Sequence, residues 1–76
     1  MRLRDGIDLV AFIKEVKTCE GDVYLETEEG DQLNLKSALS QYIFVVLAKQ
    51  PEILRSSRVK CSAEDGARLK MFVSGL

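Results

Sequence analysis

The chain has 76 residues, enough for one small domain around one hydrophobic core, and two such cores would need far more chain. Hydrophobic residues make up 46% and charged residues 30%, a globular balance rather than a disordered or fibrous one, and the absence of histidine excludes histidine general-base catalysis, phosphohistidine chemistry and histidine metal ligation. Eleven Lys and Arg against twelve Asp and Glu leave a net charge of -1, without the basic excess that neutralising nucleic-acid phosphates needs.

The chain opens Met1-Arg2-Leu3-Arg4-Asp5, which lacks the apolar core of a signal peptide. No apolar run approaches the ~18 residues of a membrane span. A cytoplasmic location is expected, with no membrane and no nucleic-acid partner. The first periodic segment covers residues 7–16, where Ile7, Val10, Ile13, Phe12 and Val16 recur at three- and four-residue steps. This predicts a helix with Asp5 as N-cap and Asp8 in the positive first turn.

Glu20-Gly21 ends that helix. Asp22-Val23-Tyr24-Leu25-Glu26-Thr27 and Gln32-Leu33-Asn34-Leu35-Lys36 both alternate polar and apolar, as half-buried strands do. Glu28-Glu29-Gly30-Asp31 between them predicts a hairpin turn with Gly30 at positive φ. Val23, Leu25, Leu33 and Leu35 then share the buried face.

Ser37 precedes Ala38-Leu39 and predicts the N-cap of a second helix running to about Lys49, before Pro51. Its core stripe would be Leu39, Tyr42, Ile43, Val46 and Leu47. Residues 42–48 are an unbroken apolar run, so a helix here is apolar almost all round, with Phe44, Val45 and Ala48 to spare. The β-branched Ile43, Val45 and Val46 leave a buried strand as the alternative. Residues 51–57 predict a connector. Arg58-Val59-Lys60-Cys61-Ser62 predicts a third strand, and Ser62 the N-cap of a last helix over residues 63–75 with Leu69, Phe72, Val73 and Leu76 on its apolar stripe. Helix, hairpin, helix, strand, helix is an α+β order, with helices on one face of a three-stranded antiparallel sheet.

Cys19 and Cys61 cannot make a zinc site without further ligands, so no metal and no cofactor is expected. They read as small apolar residues kept reduced, or as a redox pair. Charge is uneven: Glu20, Asp22, Glu26, Glu28, Glu29 and Asp31 form an acidic stretch, and Lys49, Arg55, Arg58 and Lys60 a basic one broken by Glu52.

Gly21-Asp22-Val23-Tyr24-Leu25-Glu26, Asn34-Leu35-Lys36-Ser37, Ala48-Lys49 and Ala63-Glu64-Asp65-Gly66-Ala67 together resemble HPr, the small phosphocarrier of the bacterial sugar phosphotransferase system. The resemblance spans roughly residues 5–76 and implies an HPr-like open-faced sandwich. HPr begins with a strand that pairs with its fourth; here only residues 1–4 precede the first helix, so that strand is missing or vestigial. HPr carries its phosphoryl group on a histidine that opens the first helix, followed by arginine and proline. Matching the glycine and isoleucine of Gly6-Ile7-Asp8 puts Asp8 at that position, and counting back from Val23 puts Asp5 there. Neither alignment supplies the imidazole, so the resemblance implies a fold whose phosphocarrier chemistry the residues deny. The expectation is a non-enzymatic regulatory or protein-interaction module; the alternative is an unusual phosphotransfer component phosphorylated at Ser37 or at an N-terminal aspartate, Asp5 or Asp8.

In HPr the serine matching Ser37 is phosphorylated by a dedicated kinase. A phosphate at a helix start meets free N–H groups and the positive dipole end, and changes the local charge by nearly two units. The family pattern continues with two bulky apolar residues and a glycine, where Ala38, Leu39 and Ser40 stand here. Ser37 reads as a switch or as a simple cap. Ala38, Leu39, Ser40, Phe44 and Val45 are the candidate partner interface, for a regulator or kinase of the phosphotransferase system. Without a first strand, Arg58, Val59, Lys60, Cys61 and Ser62 would be a bare sheet edge. Residues 1–4, a second copy in a homodimer, or Arg58 and Lys60 as charged guards could cover it.

Overall fold

Alternating apolar residues on either side of Glu28-Glu29-Gly30-Asp31 leave the middle of this chain little choice, and it forms the hairpin. A computed structural model describes residues 1–75 and has an α+β architecture with four helices and two small antiparallel sheets. In chain order these are β1 (Arg2–Leu3), α1 (Leu9–Thr18), β2 (Tyr24–Glu26), β3 (Gln32–Asn34), α2 (Ala38–Leu47), α3 (Pro51–Ser56), β4 (Arg58–Lys60), α4 (Ala63–Arg68) and β5 (Val73–Ser74). The three-stranded sheet has the order β3-β2-β4, with Leu25 facing Leu33 on one side and Val59 on the other. At the hairpin tip the Thr27 N–H donates to the Asp31 carbonyl at 2.9 Å, and Gly30 sits at φ 92°, where a side chain would be strained.

The first strand is present but short. β1 pairs with β5, Leu3 opposite Val73, and the Val59 N–H of β4 donates to the Met1 carbonyl at 2.7 Å. The chain start therefore lies along the edge expected to be bare. β5 replaces the end of the expected last helix. α4 stops at Arg68 because Leu69 leaves the helical region, and both Phe72 and Val73 donate their N–H groups to its carbonyl. Leu69 and Val73 are still buried, through a turn and a strand; Leu76 lies outside the described residues. The expected connector is helical as α3: Pro51 occupies its first turn, where a missing N–H costs nothing, and the buried Ser57 hydroxyl donates to the Ile53 carbonyl.

Asp8, not Asp5, caps α1. Its Oδ1 accepts from the Val10 and Ala11 N–H groups at 3.0 and 3.1 Å. The helix begins two residues later than Ile7, which leaves Asp5 outside it, exposed and 3.6 Å from the Arg55 Nε. Phe12 and Val16 are the fully buried pair of α1, and Val10 faces solvent.

The core gathers Phe12, Val16, Val23, Leu25, Leu35, Phe44 and Leu69. Phe12 lies at its middle, with the Phe44 ring 5.8 Å away and the Phe72 ring 5.6 Å away and edge-on. This aromatic contact decides how α2 turns. Residues 38–47 are helical rather than extended, but Phe44 faces inward, and half-buried Gln41, Leu47 and Ala48 flank it. Two residues along a helix is about 200°, so Tyr42 and Val46 are carried to the far side. The expected core stripe of Leu39, Tyr42, Ile43 and Val46 therefore faces outward, and Leu47 alone of that set turns in.

Candidate interaction surface

A helix start needs partners for its free N–H groups, and a helix without charge needs something to cover it. α2 meets neither need in full. Ser37 takes the extended backbone of an N-cap, yet its hydroxyl makes no capping hydrogen bond. The start of α2 is held instead by other groups. Asn34 accepts the Ser37 N–H on its carbonyl and the Lys36 N–H on its Oδ1, and Gln41 Nε2 donates to the Leu35 carbonyl at 2.8 Å. Lys36 turns away, its Nζ donating to the Cys19 and Gly21 carbonyls at 2.7 and 3.3 Å. The Ser37 hydroxyl is left exposed and unengaged.

No charged side chain occurs in α2, and Leu39 and Tyr42 are 71% and 70% exposed, with Val45 and Val46 about half exposed. Between α1 and α2 runs an open groove of about 600 Å³. Leu9, Val10 and Ile13 line one wall and Tyr42 and Val45 the other, with Lys14 and Lys17 at the α1 side. Of the candidate interface, Ala38, Leu39 and Val45 are exposed and Ser40 is half-buried. Phe44 is a correction: it is fully buried against Phe12 and offers nothing to a partner.

The two aspartates do not form a joint site. The Asp8 carboxylate is engaged by the α1 backbone. Asp5 lies beside Arg55 at a small cavity of about 210 Å³ that Leu3, Ile7, Pro51 and Leu54 also line. In β4, Val59 is buried and Lys60 is tied across to β2. Lys60 Nζ and Gln32 Nε2 each donate to Glu26 Oε2 at 2.9 Å, a link across all three strands. The Gln32 bond and then Lys60 hold the Glu26 carboxyl below its usual value. Arg58 is exposed, and Ser62 caps α4, its Oγ accepting from the Asp65 N–H at 3.2 Å. Cys19 and Cys61 are free thiols, buried and half-buried, and burial pushes both thiols up, away from the reactive thiolate.

Asp65 is the polar residue the sequence reading missed. It lies in the first turn of α4 and is buried, and its two carboxylate oxygens accept the N–H groups of Glu20 (3.1 Å) and Gly21 (2.9 Å). These bonds, the Gly21 one foremost, hold its carboxyl below the ordinary aspartate value. A Cβ on Gly21 would meet Asp65 Oδ2 at 3.1 Å, so Glu20-Gly21 is a docking point for a carboxylate as well as a helix end. Among the described residues no helix is long and apolar enough to cross a membrane. No family model matches the chain, and neither a curated protein nor a solved structure does.

Proposed function

We propose that this chain is a non-catalytic, HPr-like regulatory module that acts by binding a protein partner, in the regulation of a bacterial sugar phosphotransferase system. The observation that carries the reading is the apolar groove between α1 and α2, open beside Ser37 and backed by a helix without charge. An exposed apolar surface of this kind on a small soluble fold marks an interaction site. The HPr-like element order supports it: β1 runs beside β4 through the Met1–Val59 bond, the β2–β3 hairpin follows α1, and Asn34-Leu35-Lys36-Ser37 leads from strand to helix. α3 and β5 stand outside the order the resemblance implies. The position of the family's histidine falls on an aspartate that is either a helix cap or half of an exposed ion pair, structural roles that support the non-catalytic reading.

A photo-crosslinking residue placed at Val10, in the groove wall, tests this in cells of the source organism. The expected product is an adduct with a regulator or kinase of the phosphotransferase system, lost when Val45 is replaced by aspartate. An adduct with proteins of another kind, or none at all, overturns the reading.

A second reading, Ser37 as a phosphorylated switch, is favoured by its unengaged hydroxyl. A phosphate there would meet the free N–H groups of α2 and place negative charge at the end of the groove. Incubation with ATP and an HPr-type kinase, read by intact mass, should add one phosphate that Ser37→Ala abolishes. An unmodified chain under conditions that fully modify HPr removes this reading.

A further inference from the structure

The groove leaves part of α2 unexplained, because it uses only one flank of the helix. Leu39, Tyr42, Ile43 and Val46 lie at i, i+3, i+4 and i+7, the spacing of a helix face meant for burial. In this fold that face is turned to solvent, since Phe44 holds the opposite side against Phe12.

We propose that this outer face of α2 packs against the same face of a second copy, with the two helices antiparallel about a two-fold axis. The pattern is self-complementary. With the axis between Tyr42 and Ile43, Leu39 meets the partner's Val46 and Tyr42 meets the partner's Ile43, so long and short side chains alternate along the seam. Charge favours self-pairing as well. A two-fold axis sets any charge close to it near its own copy, and α2 has none to oppose. Lys36, the cation just before it, is turned away to the Cys19 and Gly21 carbonyls.

Leu39 and Tyr42 are 71% and 70% exposed and Ile43 and Val46 36% and 44%, so covering this face removes at most about 1,000 Å² over both copies, the lower bound for a specific association. The sheet edge offers no competing route at its centre, because the Val59 N–H is already held by the Met1 carbonyl. The geometry therefore gives a reversible dimer through α2 rather than through β4. It covers Tyr42, one residue of the α2 wall of the groove, and leaves Val45 and the α1 wall, including Val10, free for another protein.

Sedimentation equilibrium of the full chain tests this over a concentration series reaching about 1 mM. The expected result is a mass rising to twice that of the chain. Val46→Glu, which sets two like charges in the seam, weakens the dimer at least ~100-fold while circular dichroism and the thermal midpoint of the monomer stay unchanged. Tyr42→Cys should crosslink to itself under mild oxidation, beside the axis. A monomer at the highest concentration overturns the proposal, and so does a dimer that Val46→Glu leaves intact. Neither result bears on the Val10 adduct, which reports on the groove alone.

Discussion

α1 and α2 have ten residues each and lie against the same core, but they are built to opposite plans. α1 starts on a carboxylate that accepts two backbone N–H groups, buries Phe12 and Val16, and turns Lys14 and Lys17 to water. Its exit is anchored too, since Asp65 holds Glu20 and Gly21. α2 has no side-chain cap and no charge, and it is held in the core by Phe44 alone among its fully buried residues. One helix is anchored at both ends within the monomer and exposes one large apolar side chain, Val10. The other has a single fully buried anchor and leaves Leu39, Tyr42, Val45 and Val46 exposed, which is the difference that the proposed contacts rest on.

The largest test of that contrast lies within α2 itself. Phe44→Ala removes its one buried side chain and half of the aromatic contact with Phe12, and should cost about 3–5 kcal/mol, a large share of the stability of so short a chain. Tyr42→Ala, two residues away, should change the monomer by less than about 0.5 kcal/mol. Urea unfolding at low protein concentration measures both. Similar losses at the two positions would mean that the outer face is buried in the monomer and that the contrast is false.

The next effect concerns the exit of α1. Asp65→Asn keeps the size of the side chain but turns a donor toward one of two backbone N–H groups, so the thermal midpoint should fall clearly at neutral pH. The carboxyl is held below its ordinary value in the fold, so its contribution is fully present well above that value, about 3.9 for a free aspartate. It shrinks as pH falls below 3.9 and is gone once the folded group is protonated. Midpoints of the two proteins measured from pH 7 down to pH 2 should therefore converge on acidification. Curves that stay parallel would show that the charge of Asp65 does not hold this junction.

How much of this could be read in the chain varies with the kind of signal. The hairpin was legible because Val23, Leu25, Leu33 and Leu35 alternate and Gly30 marks the turn, all local facts. α1 and the start of α4 were legible from Asp8, Ser62 and the three- and four-residue spacing, although the cap itself was misplaced onto Asp5. The face of α2 was not, because an unbroken apolar run has no polar side to orient it; a single distant ring, Phe12, chooses Phe44 over the better-spaced stripe. The end of α4 was illegible for a similar reason. Leu69, Phe72 and Val73 suit a helix, and the competing partner is the backbone of Arg2 and Leu3, at the other end of the chain. Asp65 was hidden because its donors are main-chain groups of Glu20 and Gly21, which leave no side-chain pattern beyond the glycine itself.

The smallest effect separates the two helix starts most directly. Asp8 and Ser37 occupy equivalent positions, each with an extended backbone before a ten-residue helix. The Asp8 Oδ1 serves two N–H groups, so Asp8→Ala should cost about 1 kcal/mol. The Ser37 Oγ serves none, so Ser37→Ala should fall within a few tenths of a kcal/mol of the unaltered chain in urea unfolding. A cost at Ser37 equal to that at Asp8 would mean that the hydroxyl caps α2 in solution, and its free state would no longer speak for modification. A silent Ser37→Ala leaves a serine at a helix start that stability does not require, beside a groove the core does not fill. Its reason for being there then lies in what α2 meets outside this chain.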